Sequence, residues 1–218
     1  MAAATGTNTP RERYRAQVRA EITKRAWEQI ATAGASALSL NAIAKQMGMS
    51  GPALYRYFAS RDDLITELVR EAYQSLADTL RTASAAGADL SGLAHALRDW
   101  ALTDPQRYFL VYGTPIPGYH APADTTALSS AIMTTLLDAV ASLPGASATT
   151  AFGSYLEDHR NWAAGHPAPP GALHRFLTFW TRMHGVLSLE LAGHFTGMDL
   201  DPALLFTAEL DELLAPLP

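Results

Sequence analysis

The 218-residue chain contains no cysteine. It therefore has no disulfide framework, no thiolate nucleophile and no cysteine-bearing zinc site. No stretch approaches 18 consecutive uncharged apolar residues, so none reads as a membrane span. The first ten residues are small and polar, without the apolar run of a signal peptide. There is no strand-period segment, internal repeat or long low-complexity tract, and no Gly-x-Ser-x-Gly, phosphate-binding loop or dinucleotide fingerprint. The seven histidines give no metal set: Pro122 separates His120 from Asp124, and Gly165 separates His159 from His166. Glu157, Asp158 and His159 are adjacent, and adjacent helical residues diverge, so they read as a solvated face. The expectation is a cytoplasmic protein without catalytic residues, metal or cofactor.

What is present favours helices. There are 40 alanines, and glycine and proline are mostly bunched between apolar runs. A chain of this length fits one large domain or two unequal ones and buries roughly 70% of its unfolded surface. Charge is uneven. Residues 1–70 hold ten basic groups and six acids, a net +4; the remaining 148 hold six and fifteen, a net −9. A basic head on an acidic body suits a polyanion-binding end.

Local signals divide the chain. Thr9-Pro10-Arg11-Glu12 reads as a capping box opening a helix that keeps Val18, Ile22, Ala26, Trp27 and Ile30 near one side and ends at Gly34. Ser39 caps a short helix with Leu40, Ile43, Ala44 and Met47, which Gly48 stops with a positive φ. Ser50 caps a helix from Gly51 to Phe58, and Ser60 and Asp63 open a long one to about Ala83. Further helices are expected over 90–102, 105–112, 125–143, 148–164 and 172–194, with a last one opened by Asp201-Pro202. Thr114 to Asp124 and His166 to Gly171 each hold three prolines and read as loops.

Residues 21–64 follow the logic of a helix-turn-helix. Ala44 and Gly48 are small where two helices cross, and Ile43, Met47, Leu54 and Phe58 close a small core. The second helix exposes Ser50, Tyr55, Arg56 and Tyr57, and the first presents Arg11, Arg13, Arg15 and Arg19 to phosphate or the minor groove. The run Leu40-Asn41-Ala42-Ile43-Ala44-Lys45-Gln46-Met47-Gly48-Met49-Ser50, then Leu54-Tyr55-Arg56-Tyr57-Phe58 and Ser60-Arg61-Asp62-Asp63-Leu64, resembles the DNA-binding domain of TetR-family transcriptional regulators. The family pattern often has His at the place of Tyr57 and Lys at that of Arg61; either change keeps a phosphate-binding group. The resemblance implies that Ser39, Tyr55, Tyr57 and Arg61 hold the DNA backbone. It also implies that the segment from Ser50 to Arg56, with Gly51, Pro52 and Ala53, faces bases; Asn41 is counted with these.

A second run, Trp180-Thr181-Arg182-Met183-His184-Gly185-Val186-Leu187-Ser188-Leu189-Glu190, is similar to the Trp-His-Gly class of TetR ligand-binding domains, as is the segment from Asp104 to Gly113. This resemblance implies an effector domain and a homodimer. The expected architecture is all-α. Residues 1–60 form the helix-turn-helix domain, with a basic arm over 1–20, and 61–218 the effector-binding and dimerisation domain. The expected function is a ligand-responsive repressor that binds a palindromic double-stranded DNA operator. Its alternatives are an activator, a ligand-independent regulator or an enzyme body on a DNA-binding head, the last separable by a screen for turnover.

The expected effector is a small hydrophobic organic molecule in a cavity of about 300 Å³ or more. Its candidate walls are Trp100, Tyr108, Tyr112, Tyr119, Phe152, Tyr155, Phe179, Trp180, Met183 and His184. His184 lies on the apolar row Leu173, Leu177, Trp180, His184, Leu187, Leu191, where a histidine is either a core residue or a ligand contact. The candidate dimer surface is Gly185, Ser188, Ala192, Leu205, Leu210 and Leu213, and a bulky charge at Ser188 is expected to dissociate the dimer. The long fourth helix is expected to carry motion between body and head.

Overall fold

A computed structural model describes residues 9–144 and 151–215, which form ten α-helices. The chain packs as two units: residues up to Glu71 with Thr114–Ala121, and Ala72–Gly113 with Pro122 onward. The sequence reading divides the chain at residue 60; packing carries the first turns of the fourth helix, to Glu71, into the first unit.

In the first unit, α1 (Pro10–Ala33) opens with the expected capping box. The Glu12 amide donates to Thr9 Oγ1 at 3.3 Å, and the Thr9 amide donates to the Glu12 carboxylate at 2.7 Å. Gly34 ends α1 at φ 78°, and a 3₁₀ turn over Ala35–Ala37 follows. The Ser39 hydroxyl accepts from Ala42 N at 3.3 Å and caps α2 (Leu40–Gln46). Then come α3 (Gly51–Leu54) and α4 (Arg61–Ala85), whose Asp63 amide donates to Ser60 Oγ at 3.0 Å. Ile22, Ala26, Ile30, Ile43, Leu54, Phe58, Leu64 and Leu68 are buried as the core of this head.

Two details differ from expectation. Gly48 sits at φ 64° with open space where a side chain would go, so its role is conformational. The close approach is at Gly51, where a Cβ would stand 3.3 Å from Asn41 Oδ1. The second helix of the motif stops at Leu54, four residues short of Phe58, and Ser50 makes no side-chain cap bond. Tertiary bonds draw on the carbonyls that follow: Arg19 Nη1 donates to Tyr57 O at 2.6 Å and Arg15 Nη2 to Arg56 O at 3.4 Å.

The second unit contains α5 (Leu90–Thr103), α6 (Pro105–Tyr112), α7 (Asp124–Ala141), α8 (Ala151–Asp158), α9 (Pro170–Leu191) and α10 (Pro202–Leu214). Asp89, Asp104 and Asp201 cap α5, α6 and α10 through their carboxylates. With 22 residues, α9 is about 33 Å long. It packs against α5, α7, α8 and α10. Its residues Leu173, Phe176, Phe179, Met183 and Leu187 form one buried cluster with Leu93, Leu97, Leu136, Leu137, Phe206 and Leu210.

The helix expected over 148–164 is broken. Its first residues and the Gly145 stop lie outside the described residues. After Asp158 the chain bends into a 3₁₀ turn, Asn161–Ala163, and Ala164 takes φ 50°. Arg160 Nη2 donates to the carbonyls of His166, at 2.5 Å, and Ala168, at 2.8 Å. His166 accepts the Ala168 amide on Nδ1 at 3.1 Å, which leaves Nε2–H to donate to Asp138 Oδ1 at 2.9 Å. These bonds hold the proline-rich loop down and outweigh continuation of α8.

Candidate nucleic-acid interface and effector site

The head exposes a defined set of the expected DNA-contact residues. Tyr55 is 44% exposed, and Arg56, Ser50, Pro52, Asn41, Arg11 and Arg13 are also exposed; Ser39, Gly51, Ala53 and Tyr57 are half-buried. Arg11 and Arg13 make no ion pair among the described residues. Lys45, exposed in the last turn of α2, adds a cation that the sequence reading did not single out.

Two expected phosphate ligands are engaged inside the head. Arg19 lies 4.2 Å over the Phe58 ring, bonds Tyr57 O and reaches Glu67 at 3.3 Å. Arg61 donates from Nε to Leu38 O at 3.1 Å, and from Nη2 to Ala35 O at 2.9 Å and Ser36 O at 3.1 Å. It thereby closes the 3₁₀ turn onto α4. Arg61→Ala is accordingly expected to lower head stability by about 1.5–3 kcal/mol in urea unfolding. Wild-type stability with a salt dependence of DNA binding reduced by about one phosphate would instead make it a pure backbone contact.

The residues expected to wall a pocket separate into four sets. Tyr108, Tyr112, Trp180 and His184 come together: the His184 ring centre is 4.0 Å from Trp180, 4.5 Å from Tyr112 and 5.5 Å from Tyr108. Trp100, Phe179 and Met183 are buried core, and Trp100 Nε1 donates to Ser75 Oγ at 3.1 Å. Phe152 and Tyr155, 44% and 53% exposed, stack on each other at the surface of α8, with His159 beyond. The last expected wall, Tyr119, belongs to the first unit, its hydroxyl 3.1 Å from that of Thr66.

An open cavity of about 560 Å³ lies beside Glu190, Phe195, Thr196, Asp199, Leu200 and Asp201, and one of about 330 Å³ lies between α1 and α2. Neither is walled by these aromatics.

Polar groups at the aromatic cluster are almost closed off. Tyr108, fully buried, has its hydroxyl 2.9 Å from His184 Nδ1 and 2.9 Å from Ser188 Oγ. Burial raises the Tyr108 and Tyr112 phenols and lowers His184 from 6.5 to about 4, so the ring is neutral near pH 7. The unfolded chain takes up this proton near 6.5 and the folded chain only near 4. Stability tied to His184 is therefore complete above pH 6.5, falls between 6.5 and about 4, and is level below that. The expected loss is about 3 kcal/mol. His184→Phe should flatten that limb of a stability–pH curve; an unchanged limb would contradict the assignment.

The candidate dimer residues also divide. Gly185 on α9 and Ala192 just past its end are exposed, and nothing among the described residues lies within 4 Å of a Cβ placed on Gly185. Leu205 and Leu213 are half-buried. Leu210 is closed inside the protomer, so it belongs to the core instead of a surface. Ser188 is turned inward to Tyr108, so a charge there would break the interior first. Tests of assembly by introducing a charge belong at Gly185 and Ala192.

A capped helix, a left-handed glycine turn, an exposed Tyr-Arg segment and an all-helical body built around one long helix define a helix-turn-helix transcriptional regulator. Residues 22–68 match the family model for bacterial regulatory proteins of the tetR family. Residues 90–213 match the tetracyclin repressor-like C-terminal domain. The chain belongs to the TetR family of DNA-binding transcriptional regulators.

It is 36% identical over 220 residues to the HTH-type transcriptional regulator Rv1816 of Mycobacterium tuberculosis, covering 93% of each chain. The crystal structure of regulatory protein SCO4313 is 68% identical, with TM-score 0.89, covering 95% of this chain and all of that one. PfmR, a TetR family transcriptional regulator from Thermus thermophilus, shares the fold at 15% identity and TM-score 0.58 over 90% of this chain and 98% of that one. No helix among the described residues is long and apolar enough to cross a membrane.

Proposed function

We propose that the protein is a ligand-responsive repressor that binds a palindromic operator as a homodimer. The observation that carries this reading is the exposed Tyr55-Arg56 segment after the Gly48 turn, on a head that Arg15, Arg19 and Arg61 brace through its backbone carbonyls. One such head contacts too little DNA for strong specificity, so two symmetric copies are needed. Gly185, with nothing among the described residues near its face, favours close approach of a second copy along α9. The effector binds in the C-terminal unit at the aromatic cluster around His184, and α4, whose residues belong to both units, carries the response. DNA-binding titrations test the head. Tyr55→Phe should weaken binding alike on all sequences, and Arg56→Ala should weaken specific binding more than non-specific. Unchanged operator affinity in both variants would remove the assigned contacts.

A further inference from the structure

The second unit holds a buried hydrogen-bonding atom that the protein leaves unused. His184 Nε2 is shielded from solvent and has no hydrogen-bond partner among the described residues, although the other ring nitrogen lies 2.9 Å from Tyr108 Oη. The direction of the surrounding bonds decides what Nε2 offers. Tyr108 Oη is also 2.9 Å from Ser188 Oγ and 3.3 Å from the His184 carbonyl. The last distance is long for an O–H···O bond, so the Tyr108 proton goes to one of the two nearer acceptors. If it went to Ser188, the Ser188 proton would lack an acceptor, because its hydroxyl has no other bond among the described residues. The arrangement that satisfies both hydroxyls runs Ser188 O–H to Tyr108, then Tyr108 O–H to His184 Nδ1. The ring proton is then on Nε2, a donor polarised by two bonds in series.

That donor stands among the rings of Trp180 and Tyr112, whose faces are weak acceptors. The arginines of the surrounding helices are already engaged: Arg98 with Glu190, Arg107 with Asp104, Arg182 with Glu209 and Glu212, and Arg175 with two carbonyls. An anion entering the cluster would find no free countercharge among them, and burying it would be costly.

We infer that the effector is a neutral, mostly apolar molecule whose carbonyl-type oxygen accepts the free Nε2–H of His184 once the rings of Tyr112 and Trp180, in edge contact at 5.6 Å, move apart. This rests on the reading that the C-terminal unit binds an effector.

Two measurements on the full-length protein test it. In protein labelled with ¹⁵N-histidine, long-range proton–nitrogen correlation should show the His184 proton on Nε2; a proton on Nδ1 overturns the inference. Calorimetric titration with 1-indanone, indane and indane-1-carboxylate should find the ketone about tenfold tighter than the hydrocarbon, with the carboxylate weakest. His184→Phe should abolish the preference while keeping indane binding, and Tyr108→Phe should narrow it. Equal affinity for ketone and hydrocarbon, strongest binding of the carboxylate, or no binding of any of the three overturns the inference. Operator release scored in the same samples separates the two readings. Release by indane or the carboxylate without ketone preference overturns this inference and leaves a ligand-responsive regulator. Preferential ketone binding without release supports the site and removes the ligand response.

Discussion

Replacing Glu190 by alanine is expected to lower the stability of the C-terminal unit by about 3–5 kcal/mol. Glu190 closes the Trp-His-Gly-type run, and its carboxylate accepts from Arg98 Nη2 at 2.6 Å. The two side chains are only 14% and 13% exposed, so removing one leaves a buried charge without its partner. The pair makes one contact and no fork: Arg98 Nε and Glu190 Oε2 are buried without hydrogen-bond partners among the described residues. Such a pair is costly to break yet contributes little beyond a packed apolar pair. The double replacement Arg98→Met with Glu190→Leu should therefore restore most of the loss. Urea unfolding of the three variants decides it. A Glu190→Ala variant within about 1 kcal/mol of wild type, below the range for breaking a buried pair, would show the pair to be solvated.

Phe176→Ala is expected to cost a similar amount, about 3–5 kcal/mol. Phe176 is fully buried on α9, the helix against which α5, α7, α8 and α10 pack. Its ring stacks between Trp162, at 5.8 Å and 20°, and Trp180, at 6.0 Å and 22°. Truncation removes the ring from both stacks and leaves a void bounded by a helix held on several sides, which limits collapse. Trp180 is also a wall of the His184 cluster, so the variant should lose order there as well as stability. The midpoint shift in urea, read with tryptophan fluorescence, checks both effects. A loss under about 1 kcal/mol would mean that the site collapses freely, unlike a rigid core.

Much of this structure was legible in the sequence because its signals are local. A cap acts on an amide two or three residues away, and so Thr9 with Glu12, Ser39, Ser60, Asp104 and Asp201 each marked a true helix start. Gly48 announced its left-handed turn for the same reason. The failures are long-range. The early stop of α3 is accompanied by Arg15 and Arg19 reaching across about 40 residues, from 15 to 56 and from 19 to 57. The break after α8 depends on His166 meeting Asp138, a pairing that no local rule specifies.

The site shows the same division. The apolar row on α9 places His184 beside Trp180, and the structure adds its Nδ1 bond to Tyr108, which the row does not specify. The small size of Ser188 is visible in the sequence, and its Tyr108 partner, 80 positions away, is not. Phe152 and Tyr155 were grouped with the pocket by composition alone. Their position on the outer side of α8 follows from which face packs on α9, where Gly153 and Leu156 are buried instead.

The central claim is tested most directly by mapping where the full-length protein sits on its genome, with transcription compared between wild-type and deletion strains. The account predicts sites that are inverted repeats, with half-site centres about one helical turn apart or a multiple of it, lying upstream of genes whose transcription rises when the protein is removed. Sites without inverted symmetry, or neighbouring genes whose transcription falls on deletion, would contradict it.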